Sequence, residues 1–289
     1  MKKIIGPKKS GFVVMVGRSN VGKSTLLNAL VGSKIAITSP KAQTTRVPIH
    51  GIVSREEGQI VFVDTPGVFT HMHDSLSKRL THSVSESLQD IDMVLYVVDP
   101  TREIGDEEKA VLRLLDHVTC PKILVVNKID IYRKPFYDFF MDLKDKFTDV
   151  IEISAKQGTH IQSLIEMIYT YLPESEELFY PEGQLTNISN ERWLAELIRE
   201  KLFLRLRQEV PYSVHVEVET VEEREKVLYI KATIYTTDDR YQGMIIGKGG
   251  RGIREIGQST RKELEAVMDR QIYLDLNVEV NPHWAEQYL

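Results

Sequence analysis

Gly17-Arg18-Ser19-Asn20-Val21-Gly22-Lys23-Ser24 stands directly after the apolar run Phe12-Val13-Val14-Met15-Val16 and before a stretch, 25–31, whose apolar residues have helical spacing. A short strand, a glycine-framed loop and a helix in that order form a cradle for phosphates. The glycines let backbone N–H groups wrap an anion, and the helix N-terminus adds partial positive charge. Lys23 is placed to reach the β- and γ-phosphates of a nucleotide, and Ser24, with Thr25 beside it, to offer a hydroxyl to Mg²⁺.

The same scheme recurs along the first part of the chain. Gln59-Ile60-Val61-Phe62-Val63-Asp64, Met93-Val94-Leu95-Tyr96-Val97-Val98-Asp99, Ile123-Leu124-Val125-Val126-Asn127 and Val150-Ile151-Glu152-Ile153-Ser154 are apolar runs with polar tips, separated by helical patterns. Near-continuous apolar strands belong to a mainly parallel sheet with helices on both faces. Such sheets bind ligands at the carboxyl ends of their strands, where these polar tips fall. Residues 8–173 therefore read as an α/β P-loop domain. Residues 174–190, rich in Pro, Gly, Ser, Asn and Glu, read as a linker.

The strand tips carry chemistry specific to guanine. In Asp64-Thr65-Pro66-Gly67-Val68, Asp64 is suited to hold Mg²⁺ through water and the Gly67 N–H to sense a γ-phosphate. In Asn127-Lys128-Ile129-Asp130, the Asp130 carboxylate can accept from guanine N1–H and the exocyclic amine. Adenine lacks that donor pair and would leave the carboxylate unpaired, which is costly. The Lys128 stem can cover the base plane, and Asn127 can brace neighbouring loops. Ser154-Ala155-Lys156 places an N–H, that of Ala155, for guanine O6. Thr44 and Thr45 lie between these motifs, and one of them is expected on Mg²⁺ when the γ-phosphate is present; Thr45 is favoured. The ordered set predicts a GTP-binding and GTP-hydrolysing switch. It resembles the translation-factor-like class of GTPases over 12–172.

Val68 occupies the position at which many small GTPases carry a water-orienting glutamine. Valine neither donates nor accepts a hydrogen bond, so slow intrinsic hydrolysis is expected, as in the hydrophobic-substituted subgroup that this sequence resembles. In that subgroup an asparagine at the position of Asn20 helps bind K⁺ between the phosphates, and the resemblance implies K⁺ as a second cation here; the alternative is that Asn20 only braces the turn. Lys23, Thr45, Gly67 and Asn20 are thus the residues expected nearest the chemistry. His71, His73 and Asp74 read as a solvated switch loop rather than a metal site. The charge run Arg102, Glu103, Asp106, Glu107, Glu108 and Lys109 reads as the exposed start of a helix.

The chain has 289 residues, 42% hydrophobic and 27% charged, enough for two domains. Its single cysteine, Cys120, excludes an intrachain disulfide and suits a reducing cytoplasm. No apolar run reaches the ~18 residues of a membrane span, and the N-terminal basic residues precede no apolar core of a secretory signal. A net charge of −5 argues against a dedicated electrostatic nucleic-acid binder, so any such binding must come from a local patch.

Residues 191–280 form a second, α+β unit. A helical pattern over 191–207 precedes two strands, the strictly alternating Ser213-Val214-His215-Val216-Glu217-Val218-Glu219 and Val227-Leu228-Tyr229-Ile230-Lys231-Ala232-Thr233-Ile234. Gly247-Lys248-Gly249-Gly250 sits between two further helical stretches, and Gln271-Ile272-Tyr273-Leu274-Asp275-Leu276-Asn277-Val278 closes the unit. This order, with a G-x-x-G loop preceded by Ile246, corresponds to a type II KH domain, which clamps single-stranded nucleic acid. Lys248, Arg251, Arg254, Arg261 and Lys262 against Glu255 make 244–262 a local basic patch. Arg199, Lys201, Arg205 and Arg207 on the first helix read mostly as a solvated face. The alternative for the unit is a KH-like scaffold that docks proteins or membranes.

A GTPase followed by a type II KH domain resembles the bacterial Era family. Gln43-Thr44-Thr45-Arg46, Asp64-Thr65-Pro66-Gly67-Val68, Pro211-Tyr212-Ser213-Val214 and Ile246-Gly247-Lys248-Gly249-Gly250 carry the likeness over nearly the full chain. The resemblance implies binding near the 3′ end of 16S ribosomal RNA, a role in assembling the small ribosomal subunit, and peripheral contact with the inner face of the cell membrane by a monomeric protein. The tail, 281–289, departs from it in lacking basic residues.

Overall fold

The computed structural model describes residues 7–38, 45–66, 87, 91–175, 177–207, 209–225 and 227–288. The chain divides into two units, Met1–Asn187 and Ile188–Leu289.

The first unit is built on a six-stranded sheet of order β2-β3-β1-β4-β5-β6, counted among the described residues. The strands are β1 (Lys9–Val16), β2 (Ile49–Arg55), β3 (Gly58–Asp64), β4 (Met93–Val98), β5 (Lys122–Val126) and β6 (Asp149–Glu152). Every residue of β3 and β4 is buried, as a sheet covered on both faces requires. All neighbouring pairs are parallel except β2 with β3. The helices given by the described residues are α1 (Lys23–Val31), α2 (Asp106–Leu115), α3 (Tyr137–Met141) and α4 (Ile161–Tyr171). On one face Val111 and Leu115 of α2 and Phe140 of α3 pack on Val14, Val16, Val94, Tyr96, Leu124 and Val126. α1 packs against β2 and β3. Strand order reverses at β1, between β3 and β4, and the phosphate-loop motif leaves the sheet at that point, the usual place for a ligand crevice.

The composition of 174–190 predicts a linker. Several of its residues between 175 and 187 instead bond to the first sheet. Ser175 N donates to Lys8 O at 2.9 Å, and Ile52 N to Leu185 O at 2.9 Å. Gln59 exchanges hydrogen bonds with Tyr180 through both ends of its amide. Asn187 Oδ1 accepts from His50 N, and Phe179 lies 4.6 Å from the Phe12 ring. A loop rich in turn formers can still satisfy an edge strand, and β2 is that edge.

The second unit contains α5 (Asn190–Arg205), β7 (Val214–Arg224), β8 (Val227–Thr236), α6 (Asp239–Ile246), α7 (Arg251–Met268), β9 (Ile272–Val280) and α8 (Trp284–Tyr288). The Ser189 hydroxyl caps α5 by accepting from Arg192 N, and the Asp238 carboxylate caps α6 by accepting from Tyr241 N. β7 and β8 are antiparallel, β8 and β9 parallel. Ile198 and Leu202 of α5, Ile245 of α6 and Ile256 of α7 pack on Val216, Ala232, Ile234 and Val278 of the sheet. The tail belongs to this unit: Trp284 is 3% exposed, donates to Ser213 O at 3.0 Å and stacks on His215.

Candidate functional site

The loop from Gly17 to Gly22 turns by means of its special residues. Gly22, the residue before α1, has φ 103°, and a β-carbon there would stand 2.4 Å from Asn127 Nδ2. Asn20 also takes the left-handed region, at φ 64°. Lys23 is buried, with Nζ donating to Gly17 O and Arg18 O at 3.0 Å each.

Three separate segments meet beside it. Ser24 Oγ donates to Asp64 Oδ2 at 2.7 Å, Thr45 Oγ1 donates to the same oxygen at 3.1 Å, and the two hydroxyls lie 3.0 Å apart. Asp64 is fully buried, and its Oδ1 has no hydrogen-bond partner among the described residues. Burial pushes the Asp64 carboxyl up and the Lys23 ammonium down from their ordinary values, while the charge of each opposes the other's shift. A compact set of oxygen donors with one orphaned carboxylate oxygen fits a small hard cation. Thr65, also buried, donates to Met15 O at 2.8 Å and ties the tip of β3 to β1.

The base-reading motifs converge on the same end of the sheet. Asn127 Nδ2 donates to Val21 O at 2.9 Å, and Asn127 Oδ1 accepts from Ala155 N at 3.0 Å. This one side chain links the phosphate loop to 154–156. Ser154 Oγ donates to Asp130 Oδ1 at 2.6 Å, which orients the exposed carboxylate. Lys128, at φ 65°, sends Nζ to Asn20 O at 3.0 Å. Ile129 N donates to Ile153 O, joining the two base-side loops. Gly67 and Val68, with Thr44, His71, His73 and Asp74, lie outside the described residues.

The charge run over 102–109 predicts an exposed helix start; α2 does begin at Asp106, with Glu103, Asp106 and Lys109 exposed, but Glu108 turns inward. Glu108 is 2% exposed; burial pushes its carboxyl up, and it accepts from the Tyr96 hydroxyl. Glu107 pairs with Arg18 at 3.1 Å, and Arg102 donates to Ser19 O at 2.8 Å. The only sequence signal for these contacts was the abundance of acids opposite a phosphate-loop arginine.

In the second unit Gly247, Gly249 and Gly250 have φ of 71°, 62° and 74°. They make the connection between α6 and α7 that side-chain-bearing residues would strain. Lys248, Arg251, Arg254, Arg261 and Lys262 are all exposed, and the last four share one stripe of α7 by their spacing. Ile246 is partly buried. The helix α5 differs from the solvated face predicted for it. Arg199 is 2% exposed, bonded to Glu196 and lying over the Phe203 ring, and Lys201 is paired with Glu200 and Glu263.

Comparison with known proteins decides the family. Residues 12–128 match the family model described as a 50S ribosome-binding GTPase, and 209–285 match that of the KH domain. GTPase Era of Halothermothrix orenii is 41% identical, over 96% of this chain and 95% of its own length. That of Carboxydothermus hydrogenoformans is 43% identical with the same coverage. The chain belongs to the GTPase Era family. It is a GTPase with a P-loop unit of mainly parallel sheet followed by a KH unit. Two solved Era structures, each 35% identical over 97% of this chain and 96% of theirs, match with TM-scores of 0.88 and 0.89. The first is a variant of the Aquifex aeolicus protein bound to GDP.AlF4-, and the second an Era in complex with MgGDPNP and nucleotides 1506-1542 of 16S ribosomal RNA.

Proposed function

We propose that this GTPase works with Mg²⁺ in the cytoplasm, that its nucleotide state governs binding of the 3′ region of 16S ribosomal RNA by the KH unit, and that it thereby assists assembly of the small ribosomal subunit. The observation that carries the reading is the meeting of Ser24, Thr45 and Asp64 beside the buried Lys23. Those three residues would hold Mg²⁺, which neutralises phosphate charge when bound. Lys23 and the backbone of 17–25 grip the phosphates. Thr65, Pro66, Gly67 and Val68 follow the γ-phosphate, and Asn127, Lys128, Ile129, Asp130, Ser154, Ala155 and Lys156 hold the base. Ile246, Gly247, Lys248, Gly249, Gly250, Arg251 and Arg254 grip RNA backbone. The relative bound to MgGDPNP and 16S ribosomal RNA supports the choice of both ligands.

The test is the double substitution Lys248→Glu with Arg251→Glu. RNA affinity is expected to fall at least about tenfold, with a shallower salt dependence, because two phosphate contacts are lost. Hydrolysis of GTP without RNA continues. Unchanged RNA binding would leave the KH unit as a scaffold that docks protein or membrane partners.

The reading extends to K⁺. Asn20 is held at a left-handed turn with its carbonyl fixed by Lys128, a geometry that supports either a cation role or simple bracing. At equal ionic strength, turnover is expected to be faster in K⁺ than in Na⁺; equal rates sink the extension and leave bracing. Among the described residues no helix is long and apolar enough to cross a membrane. Peripheral membrane contact is the part of the proposal that rests on the family resemblance alone.

A further inference from the structure

The polar tip of β4 has no task in the function proposed above. Asp99 follows Val98 there and is 3% exposed. Its two carboxylate oxygens are used separately. Oδ1 accepts from Thr101 N at 3.0 Å and from Thr101 Oγ1 at 2.6 Å. Oδ2 accepts from Lys128 Nζ at 2.5 Å. The same ammonium donates to Asn20 O at 3.0 Å. The loop that Asp99 begins touches the phosphate loop twice more, through Arg102 on Ser19 O and through Arg18 on Glu103 O.

Among these contacts Asp99 supplies the one charged partner of a side chain assigned to the base, Lys128, whose ammonium also meets Asn20 O. A lysine with four rotatable bonds samples many rotamers when unrestrained. A carboxylate at 2.5 Å, itself fixed by two donors from Thr101, selects one of them. The pair is unevenly buried, with the Asp99 side chain 1% exposed and that of Lys128 29%. The carboxylate is therefore the fixed member and the lysine the member it positions.

We propose that Asp99 is a positioning residue for nucleotide binding: it holds Lys128 so that the stem covers the guanine plane and the ammonium braces Asn20 of the phosphate loop. This rests on the reading of the site as a guanine-nucleotide pocket. Asp99 itself touches no nucleotide. The base and the Asn20 turn are common to the GDP and GTP complexes, so both nucleotides are affected by the same factor. Recognition of the base edge stays with Asp130.

The test is a double-mutant cycle on the full chain, with Asp99→Asn, Lys128→Met and the two combined. Affinities for GDP, GTP and xanthosine triphosphate are measured together with steady-state hydrolysis. Asp99→Asn keeps the shape and an acceptor for Thr101 but removes the charge facing Lys128. It is expected to raise the Kd of GDP and of GTP by an equal factor of about ten. KM rises with them, kcat stays within about twofold, and the preference for guanine over xanthine is unchanged. In the Lys128→Met background the Asp99 substitution adds less than about twofold, since its target is gone. A further tenfold loss in that background overturns the proposal, as does a double variant that fails to fold when Lys128→Met alone folds. If Asp99→Asn alone does not fold, the comparison within the Lys128→Met background decides by itself. Should the unsubstituted protein show no preference for guanine nucleotides, the pocket assignment fails; if it shows the preference and Asp99→Asn matches it in affinity, only the role of Asp99 fails.

Discussion

Asp130→Asn is expected to lower GTP affinity by about a hundredfold and to raise affinity for xanthosine triphosphate by a comparable factor. In the parent, a carboxylate meets two donors, guanine N1–H and the 2-amino group. Hydrogen bonds to a charged group are worth ~1.5–3 kcal/mol each, and ~1.4 kcal/mol is a factor of ten, so losing the pair supports a change of this size. The amide of asparagine keeps one acceptor and gains a donor. Xanthine carries a carbonyl where guanine has the amine and so matches the amide. The Ser154 hydroxyl, 2.6 Å from Asp130 Oδ1, can rotate to serve either side chain, so the loop keeps its place. Competition titration against a fluorescent guanine nucleotide checks both halves. A variant that still prefers GTP would remove Asp130 from base recognition.

Lys23→Met should lower kcat/KM for GTP by about a thousandfold, at the upper end of what a single preorganised donor contributes in a desolvated site. Nζ is buried and already directed into the loop by Gly17 O and Arg18 O, so the cation needs little rearrangement to serve phosphates. Methionine keeps the volume and removes the charge. The substitution also acts on Asp64. Burial raises the carboxyl of Asp64 above its ordinary value and the Lys23 charge opposes that rise. Without Lys23 the Asp64 carboxyl moves further up. Mg²⁺ binding needs the carboxylate, so nucleotide-dependent Mg²⁺ affinity is lost as pH falls, and in the variant that loss begins at higher pH. Titration of Mg²⁺ against the GTP complex across pH reads this shift. An unmoved midpoint would uncouple Lys23 from Asp64.

The strands that carry the site were legible because each is a run of apolar residues closed by a polar one, and a parallel sheet collects those tips at one edge. β2 was not singled out. Ile49-His50-Gly51-Ile52-Val53-Ser54-Arg55 has a glycine and no polar tip of functional type, and its place follows from antiparallel pairing with β3. Order alone places both Thr44 and Thr45 between the motifs; Thr45, the one favoured, reaches Asp64, a contact across 19 positions that no local rule supplies. Glu108 and Arg199 were misread for one reason. Charge in sequence suggests solvent, yet each finds a counterpart on another turn or strand, Tyr96 for Glu108 and Glu196 with the Phe203 face for Arg199. The attachment of 175–187 to the first sheet was not legible because turn formers signal the absence of helix and strand, which is not the absence of attachment.

Asn127 ties the phosphate loop to the loop of Ala155 through the two ends of one amide. The walls of the pocket are joined by protein groups alone, so less ordering entropy is lost when a nucleotide binds. GDP and GTP gain from it alike, so the joined walls do not by themselves distinguish the two nucleotide states.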